Sequence, residues 1–257
     1  MKKNIILITI LLIIGLGATA QQGHFTTSGT IEFERRTNVW SMIKSEINKD
    51  DEAFLVPALD AYKKTQPQYR VLKSKLTFAG NQTLFVPEEA DPPANNLLSD
   101  DPLMNQNNHT FSDLSTSTMI SQRNIFETLF LLKDSTRRIK WKITDETRDI
   151  AGYTCRRANG IILDSIYVVA FYTGKIPVPG GPESFNGLPG MILGVALPHD
   201  NVTWFATKVT DMTLEPASIK APTKGKPVNS KDFQQVLINT SKDWGQIGKD
   251  FIKYFLM

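Results

Sequence analysis

The side chains that most often carry chemistry are few and scattered in this chain. It holds three histidines, His24, His109 and His199, and one cysteine, Cys155. The imidazoles fall in a terminal segment, a loop and a turn, and no H-x-x-x-H or H-E-x-x-H spacing exists to build a metal face. Solvated, unconnected histidines are therefore expected, and neither a metal nor another cofactor is implied. Cys155 could act as a nucleophile if a helix N-terminus or an adjacent base lowered its pKa. It lies instead in a stretch of strand character, with Arg156 directed to the opposite face, and reads as a small buried hydrophobe. No G-x-S-x-G, Walker or G-x-G-x-x-G pattern occurs. "TKGKPV" lacks the strand–helix setting of a phosphate loop. Asp145, Glu146 and Asp149 of "TDETRD" lack the alternating oxygens and glycine turn of a calcium loop and read as a solvated hairpin tip.

One stretch stands apart by spacing rather than by reactive groups: "GPESFNGLPGMILGVAL", Gly181 to Leu197. Glycine serves where the backbone turns or is closely approached, and proline where φ is fixed, so their alternation describes a loop of defined shape. In one reading Pro182, Phe185, Leu188 and Pro189 fold a rigid crossover onto a sheet. Phe185 and Leu188 then plug the core while Gly187 and Gly190 permit unusual φ. In the other, Pro182, Phe185, Gly187, Leu188, Pro189 and Gly190 form a preformed docking surface for a partner or an apolar ligand. The first is preferred, because apolar loop residues more often pack than recognise.

These residues need a frame, and the periodicity supplies it. Ile31 and Phe33 alternate with Thr30, Glu32 and Glu34, which predicts a strand. Trp40, Ile43, Ile47 and then Phe54, Leu55, Leu59, Tyr62 recur at helical spacing, with Pro57 set to kink or delimit the second helix. Period two returns in a hairpin around "AGNQ", ending at Val86. Residues 87–110, rich in Pro, Asn and Asp, read as a long surface loop. A meander follows, with strands near 115–122 and 126–133, over Ile139–Ile143, after Ala151-Gly152, through "DSIYVVAFYTGK", and in a hairpin turning at Pro198-His199-Asp200-Asn201. "APTKGKPVN" reads as a polar linker. A helix near 230–255, capped by Ser230, aligns Phe233, Val236, Leu237, Trp244, Ile247, Phe251, Ile252 and Phe255 on one side. The predicted fold is α+β and mainly antiparallel: a curved sheet or half-barrel covered by N-terminal and C-terminal helices.

The ends and the charge bound the setting. Lys2 and Lys3, an apolar run from Ile5 to Leu16, and Ala18 and Ala20 in an A-x-A arrangement form a signal-peptide pattern over residues 1–20. Residues 21–257 then form a single domain. The apolar run is short for a membrane span, so no transmembrane segment is expected after cleavage. Losing the two lysines takes the formal charge from +3 to +1. That leaves no electrostatic case for nucleic acid as a partner. One cysteine in an exported chain means no internal disulfide.

Between Trp141 and Ile192 the motifs accumulate: Trp141, "I-x-G-Y-x-C-x-x-A" from Ile150 to Ala158, "A-x-Y-T-x-x-I-P" from Ala170 to Pro177, Gly181-Pro182, Phe185, and "GLPGMI" from Gly187 to Ile192. In this order they resemble the GLPGLI family of exported Bacteroidota proteins. Met191 stands where that family has Leu, an exchange that keeps volume and apolarity, and Phe171 stands where Trp is expected in relatives. "DST" at 134–136 and "DSI" at 164–166 resemble the short O-glycosylation acceptor pattern of the same bacteria. The resemblance implies export to the periplasm or cell envelope of a Gram-negative bacterium and no assigned activity. The functional expectation is a non-enzymatic binding or accessory module for an apolar ligand or an envelope protein. The alternatives are an enzyme with a convergent site and a structural accessory of an outer-membrane complex.

Overall fold

A computed structural model describes residues 25–47, 52–90, 102–105, 108–125 and 128–257. The predicted signal peptide lies outside them. Twelve strands form one open sheet in the order β12-β6-β5-β4-β3-β2-β1-β11-β10-β9-β8-β7. The strands are β1 (Ser28–Asn38), β2 (Tyr69–Ala79), β3 (Gln82–Pro87), β4 (His109–Asp113), β5 (Thr118–Ile125), β6 (Thr128–Ser135), β7 (Lys142–Ile150), β8 (Tyr153–Ile162), β9 (Ile166–Thr173), β10 (Met191–Leu197), β11 (Val202–Asp211) and β12 (Lys226–Val228). Two antiparallel meanders, β2–β6 and β7–β11, are joined because β1 pairs with both β2 and β11. Only β12 runs parallel to its neighbour, β6.

The sheet curls. Arg148 of β7 lies over the rings of Phe171 in β9 and Phe205 in β11, 5.8 and 4.6 Å away, so the β7 edge folds back across three strands. Strand alternation decides which side chains enter the concave side. In β1 these are Ile31, Phe33, Arg35 and Thr37, all buried. The outward residues meet a charge ladder in which Lys208 sits 3.6 Å from Glu32, a solvated pair of small energetic consequence.

The helices cover the ends. α1 (Val39–Glu46) starts at Asn38, whose side chain accepts from the Ser41 N–H at 3.2 Å. α2 (Glu52–Thr65) runs through Pro57 without being delimited there, burying Leu59 and Tyr62 but leaving Phe54 68% exposed. The C-terminal segment, predicted as one helix, is two: α4 (Ser230–Ser241) and α5 (Gly245–Leu256), separated by a turn that closes with Trp244 N–H on the Ser241 carbonyl. Asn229, not Ser230, caps α4, accepting from the Asp232 N–H. Phe233, Leu237 and Phe255 cover Met119, Ile125, Phe130 and Leu132. The side chains of Ile247 and Phe251 are outside the described set, and Trp244 is half-exposed.

Other expectations shift. Residues 87–110 include a short helix, α3 (Pro102–Asn105), with Met104 buried, and β4 begins within them; 91–101 and 106–107 lie outside the described residues. Ile139 and Trp141 precede β7 rather than forming a strand, yet still pack on the core. Asp145, Glu146 and Asp149 lie in β7 rather than in a hairpin tip, because the strand bulges between Ile143 and Thr147 and keeps pairing with β8. There Asp145 meets Arg156 at 3.4 Å and Glu146 meets Arg157 at 2.6 Å. The polar linker supplies β12, the last three residues of "TKGKPV", and α4 follows it, so Gly225 precedes the strand and does not sit between strand and helix as a phosphate loop would.

Candidate functional site

The antiparallel neighbours β9 and β10 are joined by residues 174–190 instead of a tight turn. This crossover is stitched to itself and to β10: Gly187 N–H donates to Pro179 O, Met191 N–H to Ile176 O and Ile192 N–H to Gly180 O. It carries its apolar side chains inward. Ile176, Val178, Phe185 and Leu188 are buried in the main core, and Phe185 meets the Trp204 ring edge-on at 6.0 Å. Pro182 and Gly190 are buried as well, whereas Gly187 and Pro189 are exposed. Phe185 and Leu188 therefore occupy core positions, and an apolar docking face made from them has no exposed surface. Gly187 adopts φ +91° and Gly190 φ +147°. A Cβ at Gly190 would lie 2.2 Å from the Thr173 carbonyl oxygen, so only glycine fits where β10 begins.

Trp141 holds the crossover from outside. Its indole N–H donates to the Asn186 carbonyl at 2.9 Å. Trp141→Phe keeps most of the ring but strands that carbonyl. We expect a loss of about 1 kcal/mol in urea unfolding, and a midpoint equal to wild type would show the bond to be idle.

Between the apolar residues of the crossover sits a charge that the residue patterns did not single out. Glu183 is buried, at φ +52°, a region costly for a residue with a Cβ. Around it lies a band of polar side chains from distant strands. Arg35 of β1 stacks on Trp204 of β11, its register partner, at 5.3 Å. Arg123 of β5 donates to Ser121 Oγ at 3.2 Å, and Ser121 bonds Thr110 of β4 at 3.1 Å. Burial pushes the Glu183 carboxyl above the usual carboxylate range; Arg35 and Arg123, then Asn108 and Trp204, pull the other way. The Trp204 and Asn108 N–H groups reach this carboxyl without strict hydrogen-bond geometry. Arg123 is lowered to about 10 by burial and by Arg137, with Glu183 opposing, and Arg137 to about 10 by burial.

The band continues to the end of α5. Arg123 donates to the Phe255 carbonyl, Arg137 to those of Leu256 and Met257 at 2.7 and 3.1 Å, and Ser184 to Met257 at 3.0 Å. Guanidinium groups thus meet the orphan carbonyls at the negative end of the helix. Lys253 adds an ion pair of 2.5 Å to buried Asp200 in the β10–β11 turn.

Where the band reaches solvent it forms a cleft lined by Arg35, Leu72, Lys73, Ser74, Phe85, Pro87, Glu88, Glu183 and Trp204. It spans about 280 Å³ including open solvent. Side chains fill most of it, leaving room for about one water molecule.

The groups weighed first for chemistry stay apart. His109 lies in β4, its pKa lowered by burial, and His199 packs near Tyr167 in the β10–β11 turn; His24 is outside the described residues. Among the described residues no three His, Cys, Asp or Glu side chains gather as a metal set. Cys155 is buried, and its thiol is pushed up to about 12 by burial and by Asp149. Its unfolded counterpart ionises near 9.0. Between those values the unfolded chain binds fewer protons than the folded one, so stability falls as pH rises from about 9 to about 12. The drop in melting temperature from about pH 8 to about pH 10.5 should be shallower in Cys155→Ala than in wild type. Equal drops would show that the thiol ionises alike in both states.

Residues 161–194, from the end of β8 through the crossover into β10, match a family model described as a protein of unknown function (Porph_ging). No curated protein matches the chain. Among solved structures, PNGF-II in space group P21 is 15% identical with a TM-score of 0.50, covering 81% of this chain and 32% of that one. Its C2 form gives 14% and 0.49 over the same shares. An uncharacterized conserved protein from Thermus thermophilus gives 6% and 0.40, over 80% of this chain and 92% of that one. The first is a likeness of fold alone, and this chain spans about a third of PNGF-II's length, 32%. Among the described residues no helix is long and apolar enough to cross a membrane.

Proposed function

We propose that this chain is an exported envelope protein of the GLPGLI kind, acting as a binding or accessory module with its recognition site at the Arg35–Glu183 cleft. The leader pattern at residues 1–20 and the ordered motifs from Trp141 to Ile192 support export and the family likeness. One observation carries the binding role: a strained, buried carboxylate and a buried guanidinium from remote segments meet where the interior opens to solvent. Ile176, Val178, Phe185 and Leu188 are buried in the main core, which favours the polar cleft over an apolar pocket behind the crossover.

A thermal-shift screen over acids, amines, sugars and peptides tests the role. A ligand that binds the folded state alone raises the melting temperature, and the shift should shrink in a cleft variant. Fractionation of cells carrying the full chain tests export; retention with an intact leader would overturn it. A second reading, an enzyme, draws on the lifted Glu183 carboxyl, which suits a general acid. In that reading Glu183→Gln abolishes turnover while sparing ligand binding. Arg35 and Arg123 favour the ionised carboxylate over the acid form, which favours the binding module.

A further inference from the structure

The sheet is open, and its two edges differ. At one end β12 is three residues long, its middle residue Pro227 has no N–H to offer, and α4 begins at Ser230. At the other end β7 has β8 as its only hydrogen-bonded neighbour and runs for nine residues, seven of them exposed. An edge of that length and exposure is a template on which a second copy of the chain can lay its own strand. The first half of β7 is withdrawn from that use. Ile143 pairs with Ala158 and Thr147 with Arg156, so Thr144, Asp145 and Glu146 together oppose Arg157 alone. Such a bulge interrupts the ladder that an added strand would copy.

Within the bulge, polar groups of the backbone find partners inside the hairpin. The Thr144 carbonyl accepts from the Arg156 guanidinium at 3.3 Å, and the Glu146 N–H donates to Thr144 Oγ1 at 3.4 Å. That hydroxyl donates in turn to the Arg157 carbonyl at 3.3 Å. One acceptor and one donor of the strand are thereby engaged before any foreign strand arrives. Asp145 and Glu146 hold their exposed carboxylates at the same place, and an antiparallel pairing of two copies about this point would bring like charges opposite each other. Beyond the bulge only residues 147–150 stay in regular register, fewer than the usual strand of about 5–6 residues, and Arg148 draws this part over Phe171 and Phe205. Independently of the cleft, we propose that the β7 bulge is a guard that keeps this edge from pairing with the β7 edge of a second copy.

Sedimentation velocity and amide hydrogen exchange on the mature full-length chain test this. Wild type is expected to stay monomeric up to about 1 mM. The triple variant Thr144→Val/Asp145→Thr/Glu146→Val removes the hydroxyl bridge and both charges and leaves strand-forming residues in their place. It should associate at concentrations at least about tenfold lower than any at which wild type does, with exchange slowed at residues 147–150 as it associates. Asp145→Asn/Glu146→Gln, nearly isosteric, removes the charges alone and should associate more weakly than the triple variant. A triple variant that keeps the wild-type circular dichroism and stays monomeric overturns the inference. So does a wild type that dimerises with its β7 amides protected, or a triple variant that associates with β7 exchange unchanged. Should the triple variant fail to fold, the two-residue variant decides. Its association with slowed β7 exchange supports the guard, and a monomer at about 1 mM overturns it.

Discussion

Phe185→Ala is expected to lower the stability of this protein by about 3–5 kcal/mol, the range for truncating a buried aromatic in a packed core. At this chain length that corresponds to roughly 6–20 °C in melting temperature. The side chain is 3% exposed and seated edge-on against Trp204, itself 1% exposed. Removing the ring leaves a void beside Trp204 that cannot readily collapse, since β1 and β10 fix the Trp204 strand by pairing on both sides. Phe185→Leu, which retains most of the volume, should cost less. A docking residue would behave otherwise: surface truncations stay within about 0.5 kcal/mol. A Phe185→Ala protein that melts with wild type would therefore place the ring outside the core and revive the docking reading of the motif.

Glu183→Ala should be comparably damaging for an electrostatic reason. The carboxylate is buried, and the charges of buried Arg35 and Arg123 favour its ionised form. Removing one partner of a buried pair leaves the other uncompensated, at about 3–5 kcal/mol. The backbone offers an internal control. At φ +52° every residue with a Cβ is strained and glycine is not, so Glu183→Gly should recover about 1 kcal/mol relative to Glu183→Ala. Chemical denaturation of the three proteins reads the order directly: wild type, then Gly, then Ala. If Ala matches wild type, the guanidiniums are satisfied without Glu183, and the polar band does not depend on it.

Local periodicity suffices for the α+β class and most strands, because alternation is a property of adjacent residues and needs no partner. Its failures have physical causes. β4 is hidden because its pattern is inverted: Thr110 and Ser112 face the polar band, while Phe111 packs outward with Ala79 and Ile219. The break between α4 and α5 is hidden because a short turn preserves the apolar spacing on both sides. β7 looks like a turn because its acidic residues are exposed on an edge strand, where charge is tolerated.

The motif loop divides along the same line. Its glycines and prolines announce a rigid crossover, and inward Phe185 and Leu188 follow from apolarity alone. Arg35 even lies in the inward phase of β1 with Ile31 and Phe33, a visible anomaly whose partner is not. Glu183, Arg123, Ser74 and Trp204 come from four separate segments, and nothing in their own neighbourhoods marks them as a group. Sequence spacing sets which residues face inward; only the β1–β11 pairing and the curl of the sheet decide which inward residues meet. Burial of a charge is bearable where its counter-charge is brought beside it, and that is settled by long-range pairing rather than by any short stretch of chain.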